Sequence, residues 1–227
     1  AFIILGVAML SWVLWPIVSF VVFTAPQFST VVSPLQDEAP AGLIRSSLLS
    51  PVASAASDDM TTVVSTGLDY TNPNIWFPAA PQKKIVSQVT AYTLSIPKLG
   101  IADALVIISG DDLSKSLIHY GGTGLPGEYG TAVIFGHSVL PQFYNPTNYK
   151  TIFSTLPTMK VGDEVLIRYD GVQYRYIVYE MLVTQPNDLT PLEQRFDDSY
   201  VTLITCVPPG TYWKRLNVRA RLVKPDA

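Results

Sequence analysis

The 227-residue chain holds one cysteine and two histidines. Thiol chemistry would therefore run through Cys206, with His119 or His137 as the proton carrier. Cys206 ends the apolar run Val201-Thr202-Leu203-Ile204-Thr205-Cys206 and opens into Val207-Pro208-Pro209-Gly210. A group at such a strand end is held rigidly and stays reachable. The plain alternative is a buried, inert cysteine acting as a small apolar residue. His137 also closes an apolar run, Ala132-Val133-Ile134-Phe135-Gly136-His137. His119 precedes the glycine-rich turn Gly121-Gly122-Thr123-Gly124. Each histidine alone is more often structural than catalytic. A cysteine and a histidine that both end strands suggest a nucleophile and its acid–base partner.

A third group lies nine residues beyond Cys206. Lys214 to Leu222 alternates strictly, with Leu216, Val218, Ala220 and Leu222 on one face and Arg215, Asn217, Arg219 and Arg221 on the other. That polar face is either solvated or brings one guanidinium beside the thiol, to hold an oxyanion as a carbonyl is attacked. Arg219 and Arg221 compete with Arg215 for this place.

The elements that must position these groups are strands. Runs at Val89–Ile96, Ala104–Ile108, Ala132–Phe135, Glu164–Tyr169, Tyr174–Val183, Val201–Cys206 and Leu216–Val223 alternate or are rich in β-branched and aromatic residues. Gly, Pro, Asn and Asp punctuate them. Tyr149–Leu156 and Leu189–Phe196 read as short helices, the second with Asp188 or Thr190 as cap and Pro191 in its first turn. Many short strands with few helices indicate a mainly β domain, a closed barrel or a sandwich. It occupies residues 81–227.

Two other regions precede it. Residues 1–36 carry no charged side chain. The run Ala1 to Phe23 would span about 34 Å as a helix, enough for a hydrocarbon core of about 30 Å. Residues 1–25 are thus expected to be a transmembrane signal-anchor helix. A cleaved signal peptide is the alternative, though its apolar core is usually shorter. Trp12 and Trp15 lie too central in this run to read as a simple interfacial belt. Between residues 24 and 80, Pro, Ser and Thr supply 20 of 57 positions. Residues 26–80 read as a flexible stalk, with Leu43-Ile44 and Leu48-Leu49 as a possible short helix. Near its end, residues 69–78 hold the cluster Tyr70, Trp76 and Phe77, which either docks on the domain flank or forms a lid over a groove.

Composition excludes several classes. A net charge of −3 argues against nucleic-acid binding, which needs a basic footprint. One cysteine forbids an intrachain disulfide. With only two histidines beside it, an ordinary Cys/His zinc site is also excluded. Asp111-Asp112 and Asp197-Asp198 read as solvated loops rather than a calcium site. No cofactor and no metal are expected.

The assembled motifs resemble the sortases, membrane-anchored cysteine transpeptidases of cell surfaces. The matching stretches are Thr202-Leu203-Ile204-Thr205-Cys206, Arg215-Leu216-Asn217-Val218, and Pro126-Gly127 followed by a strand into Gly136-His137. Leu94-Ser95-Ile96-Pro97-Lys98-Leu99-Gly100 is similar to the family's first strand, and Lys160-Val161-Gly162-Asp163-Glu164 to a turn before a middle strand. The likeness covers residues 88–223. It implies a closed sortase-type β-barrel of about eight strands. It also implies Cys206 as nucleophile, His137 as acid–base partner, Arg215 as oxyanion or substrate-orienting group, and Thr205 lining the substrate groove. His119 has no matching catalytic place.

The implied reaction cleaves a sorting signal of Leu-Pro-x-Thr-Gly type through a thioester and passes the acyl group to an amine. That amine would come from an envelope peptide or a pilin lysine. The implied setting is a single-pass protein with its catalytic domain outside the cytoplasm. The loop Thr184–Ser199, with Leu189 and Leu192, would help choose the motif. Residues 69–78 match the aromatic lid of pilus-assembling members only loosely. Arg215 and a protonated His137 are expected to lower the thiol pKa. A hydrolytic peptidase on the same fold is one alternative. A membrane-tethered peptide-binding β-domain, favoured if Cys206 proves inaccessible, is the other.

Overall fold

Alternation and apolar runs build nine strands in the computed structural model, which describes residues 2–30, 69–83 and 89–224. Helix α1 (Phe2–Ser19) comes first. Pro16 takes one donor out of its ladder. The helix then continues through a π turn at Phe20–Thr24 and a 3-10 turn at Ala25–Gln27. The 26 residues Phe2–Gln27 are long and apolar enough to cross a membrane.

The strands are β1 (Ser29–Thr30), β2 (Ala91–Ile96), β3 (Ile101–Ile108), β4 (Leu117–His119), β5 (Gly130–Phe135), β6 (Glu164–Tyr169), β7 (Val172–Thr184), β8 (Ser199–Val207) and β9 (Lys214–Leu222). Their order is β1-β7-β6-β2-β3-β4-β5-β8-β9, and a further β7–β9 pairing joins the ends. Strands β2 to β9 therefore form a closed eight-stranded barrel, with β1 added in parallel on β7. Closure leaves few exposed edges.

Strands β5 and β8 are buried along their whole length, because both of their faces are covered. Ala132, Ile134, Val201 and Leu203 point into the barrel core. Val133, Phe135, Ile204 and Cys206 point the other way, into a second cluster with Trp76, Phe77, Leu113, Ile118 and Tyr120. Two-sided burial makes these strands read as near-continuous apolar runs. The same cover buries the start of the polar face of β9: Arg215 and Asn217 are both inaccessible.

Several expectations differ in detail. Strand β4 was not anticipated, since three residues carry no periodicity. Tyr149–Leu156 forms successive turns, and Leu189–Phe196 holds only a 3-10 turn at Thr190–Leu192. Asp188 does accept from the backbone N–H of Thr190, at 2.9 Å. Of the segment read as a stalk, Ser29-Thr30 pair with Leu182-Val183, and Trp76 and Phe77 are buried. Residues 31–68, including the possible helix near Leu43, lie outside the described residues.

Candidate active site

Two strand pairings bring the three motifs to one end of the barrel. Strands β5 and β8 run parallel, with Phe135 level with Ile204. Strand β5 ends at Phe135 and its chain continues through Gly136 to His137, while β8 runs on through Cys206 to Val207. Thr205 Oγ1 donates to Gly136 O at 2.8 Å, and Ser138 Oγ donates to Cys206 O at 2.7 Å. These bonds lock the two strand ends at the level of the thiol. Gly136 is needed here, because a Cβ would fall 2.4 Å from Phe153 and 2.7 Å from Leu117. Antiparallel β8 and β9 then pair Cys206 with Arg215. Arg215 Nη1 lies 3.4 Å from Cys206 Sγ and donates to Tyr212 O at 3.2 Å. Its buried Nε has no hydrogen-bond partner among the described residues.

The competing arginines are engaged elsewhere. Arg219 pairs with Glu180 at 3.0 Å, and Arg221 pairs with Asp198. Thr205 is fully buried. Alternation turns it to the face opposite Cys206, so as seated here it borders no open groove. Leu192, in the loop after β7, packs against the cluster that contains Cys206.

His119 is sealed away. Thr123 Oγ1 donates to Tyr120 O, so it accepts from His119 Nε2 at 3.1 Å. The other ring nitrogen, Nδ1, accepts from Tyr92 Oη at 2.9 Å. Burial pushes its pKa down to about 4, which keeps it neutral.

Residues 70–83 cover the thiol. Asn72 caps the 3-10 turn Pro73–Ile75 by accepting from Asn74 N at 2.9 Å, and the turn delivers Trp76. The indole N–H donates to Tyr70 O at 2.9 Å. The Trp76 ring lies under the Arg215 guanidinium, 4.8 Å from Cζ to centroid, and 6.0 Å from the His137 ring. It also meets Phe135 edge-on at 5.5 Å. Tyr70 stacks on Tyr212 at 4.0 Å, in the loop between β8 and β9. Gln82 ties the end of the segment to Gly110 O and Gly121 N. The sequence marked this aromatic cluster but not its seat, which is over the site rather than on the flank.

The cover changes the electrostatics. Cys206 is 1% exposed. Burial pushes its thiol up to about 11, and Arg215 offsets only part of this. The expected lowering by neighbouring cations is thus outweighed in this state, because removing a thiolate from water costs more than one guanidinium returns.

Known proteins give a consistent comparison. The family model described as Sortase domain matches residues 94–223. No curated protein sequence matches significantly. Among solved structures, the Clostridium perfringens sortase D5 transpeptidase is 26% identical, with a TM-score of 0.51 over 62% of this chain and 83% of that one. A lid mutant of sortase A from Corynebacterium diphtheriae is 30% identical, with a TM-score of 0.53 over 62% and 74%. Sortase C-1 from Actinomyces oris is 28% identical, with a TM-score of 0.53 over 62% and 76%. The neighbours carry A, C and D designations alike, so they select no subclass. A family match over more than half the chain, on a barrel of the same fold, makes this chain a member of the sortase family.

Proposed function

We propose that the protein is a membrane-anchored cysteine transpeptidase that acts on a sorting-signal peptide of Leu-Pro-x-Thr-Gly type. The observation that carries this reading is the 3.4 Å approach of Arg215 Nη1 to Cys206 Sγ at the strand end beside His137. In this reading the Cys206 thiolate attacks the scissile carbonyl carbon, and the C–N bond breaks as His137 protonates the leaving amine. The acyl group stays on sulfur as a thioester. An incoming amine attacks that thioester while His137 takes its proton, and the thiolate leaves. Covalent catalysis thereby divides one amide exchange into two easier steps. Arg215, with donor capacity to spare at Nε, holds the oxyanion or orients the peptide. Thr205 acts by fixing the ends of β5 and β8. Helix α1 is the anchor, and the barrel lies outside the cytoplasm.

Residues 69–83 act as a lid in this reading. An inaccessible thiol would otherwise favour a binding module, but here the inaccessibility has a local cause, the Trp76 ring. Lifting the lid costs the burial of Trp76 and Phe77 in addition to the cation–π contact with Arg215, and peptide binding must supply that energy. Peptide entry would displace the indole, admit water and bring the thiol pKa down.

The test is to incubate the full chain in detergent with Leu-Pro-x-Thr-Gly-like peptides and added amines, reading products by mass spectrometry. A peptide–amine adduct that vanishes in Cys206→Ala supports the proposal. Cleavage without an adduct would make the protein a hydrolytic peptidase.

A further inference from the structure

The loop between β7 and β8 depends on side chains for its anchorage. From Gln185 to Asp197 its backbone–backbone hydrogen bonds are internal among the described residues: Asp188 N to Gln185 O, Leu192 N to Leu189 O and Glu193 N to Thr190 O. A segment bonded mainly to itself opens at little cost unless something ties it to the barrel. Residues 193 to 197 are exposed apart from Gln194, which is half-buried.

The Gln194 amide is that tie. Its Oε1 accepts from Gly124 N at 3.0 Å and from Thr131 N at 3.1 Å. Both lone pairs of the amide oxygen are then used. Its Nε2 donates to Leu192 O at 3.1 Å. A carboxamide suits this set, because the two N–H groups need an acceptor and the carbonyl needs a donor. Gly124 N also donates to Thr131 O at 3.0 Å, so the amide sits across an existing backbone pair. Glycine keeps that place open, since a Cβ on Gly124 would lie 3.0 Å from Thr131 N. The turn Thr190–Leu192 has one other hydrogen bond to the barrel, from Arg219 Nη2 to Thr190 O at 3.5 Å, which is at the weak end of the range.

The tie bears on the active site through Leu192. This residue ends the 3-10 turn, and its side chain packs against the cluster of Trp76, Phe135 and Cys206. Thr131 and Phe135 lie on the same strand, β5, whose chain continues to His137. Gln194 thus sets Leu192 against the strand that delivers the acid–base group. Leucine is the large apolar side chain of a Leu-Pro-x-Thr-Gly-type signal, and a fixed apolar wall near the thiol is what it would meet.

We propose that Gln194 is a positioning residue for recognition of the sorting signal: its amide holds the turn Thr190–Leu192 at one height above β5, so that Leu192 presents a fixed wall to the leucine of the peptide. This rests on the transpeptidase reading. Gln194 itself touches neither the thiol cluster nor the peptide and acts through Leu192.

Two substitutions in the full chain test it. Gln194→Met keeps the length of the side chain and removes its hydrogen bonds. Gln194→Glu keeps the acceptor for Gly124 and Thr131 and loses the donor to Leu192. Each is assayed in detergent with an added amine and two peptides, one of Leu-Pro-x-Thr-Gly type and one with alanine in place of its leucine. Amide exchange by mass spectrometry reads residues 185–197 and, as a control on the barrel, β8. In Gln194→Met, exchange over 185–197 should quicken by about tenfold while β8 is unchanged. For the leucine peptide KM should rise by roughly tenfold with kcat within about threefold, and the preference in kcat/KM for leucine over alanine should fall by about tenfold. Gln194→Glu should recover part of the slow exchange and part of the preference. Unchanged exchange would show that Gln194 does not hold the loop. Quickened exchange with KM and preference unaltered would show that the loop does not read the peptide. A fall in kcat with the preference kept would mark a general loss of structure. Each of these three results overturns the proposal and leaves the transpeptidase reading standing. Absence of any peptide–amine adduct from the wild type would overturn that reading, and the recognition role with it.

Discussion

The two histidines stand at or just past strand ends and sit in opposite surroundings. His119 sits within β4, with both ring nitrogens bonded and its pKa held near 4. His137 lies just past β5, where the sheet stops and the covering side chain is a tryptophan from a separate segment. Two residues decide the difference. A histidine inside the sheet must find partners there and remain neutral. A histidine beyond it shares its surroundings with the Cys206 thiol and with the side chains that cover it.

The sharpest way to break this contrast is to exchange the roles. His137→Gln and Cys206→Ala should each reduce transpeptidation by roughly a thousandfold or more, while His119→Gln should leave kcat within a few-fold at temperatures where the chain stays folded. Equal losses at 119 and 137, in single-turnover assays on chains verified by circular dichroism, would erase the distinction. Arg215→Ala should lower kcat by roughly a hundredfold to a thousandfold, with Arg215→Lys restoring part. Arg219→Ala should change kcat little, its partner being Glu180.

The cover sharpens the contrast from the other side. Trp76→Ala should speed alkylation of Cys206 by at least tenfold and move the apparent thiol pKa down from about 11 toward the ordinary value. An unchanged pH–rate profile for alkylation would mean that Trp76 is not what shields the thiol. The smallest effect concerns stability. The folded pKa of His119 lies below its unfolded value, so the unfolded chain takes up the proton first. Stability present above about pH 6.5 is lost as pH falls toward 4, by roughly 3 kcal/mol for a shift of this size. Denaturant titrations of the wild type and His119→Gln across that range should show the slope diminished in the variant.

Much of the barrel was legible because alternation and apolar runs are local signals. The spacing of Cys206 and Arg215 was legible because a tight antiparallel return makes sequence distance a guide to register. Strand β4 was not, being too short to show a period. The seat of Trp76 was not legible either, since an aromatic cluster advertises burial without naming its partner. The direction of the thiol's pKa followed from that omission: two cations could be read from the sequence, but the ring that excludes water could not.

The parallel pairing of β5 with β8 has a consequence for how the protein matures. Residues 137 and 206 meet only after a loop of 68 intervening residues closes, and long-range parallel pairing is among the slower steps of folding. Arg215, on β9, has its register set by the same strand β8. The reactive constellation thus assembles with the barrel and not before it. Until those long-range contacts form, Cys206 is an ordinary exposed thiol, and only the closed barrel brings Arg215 to it and shields it from water.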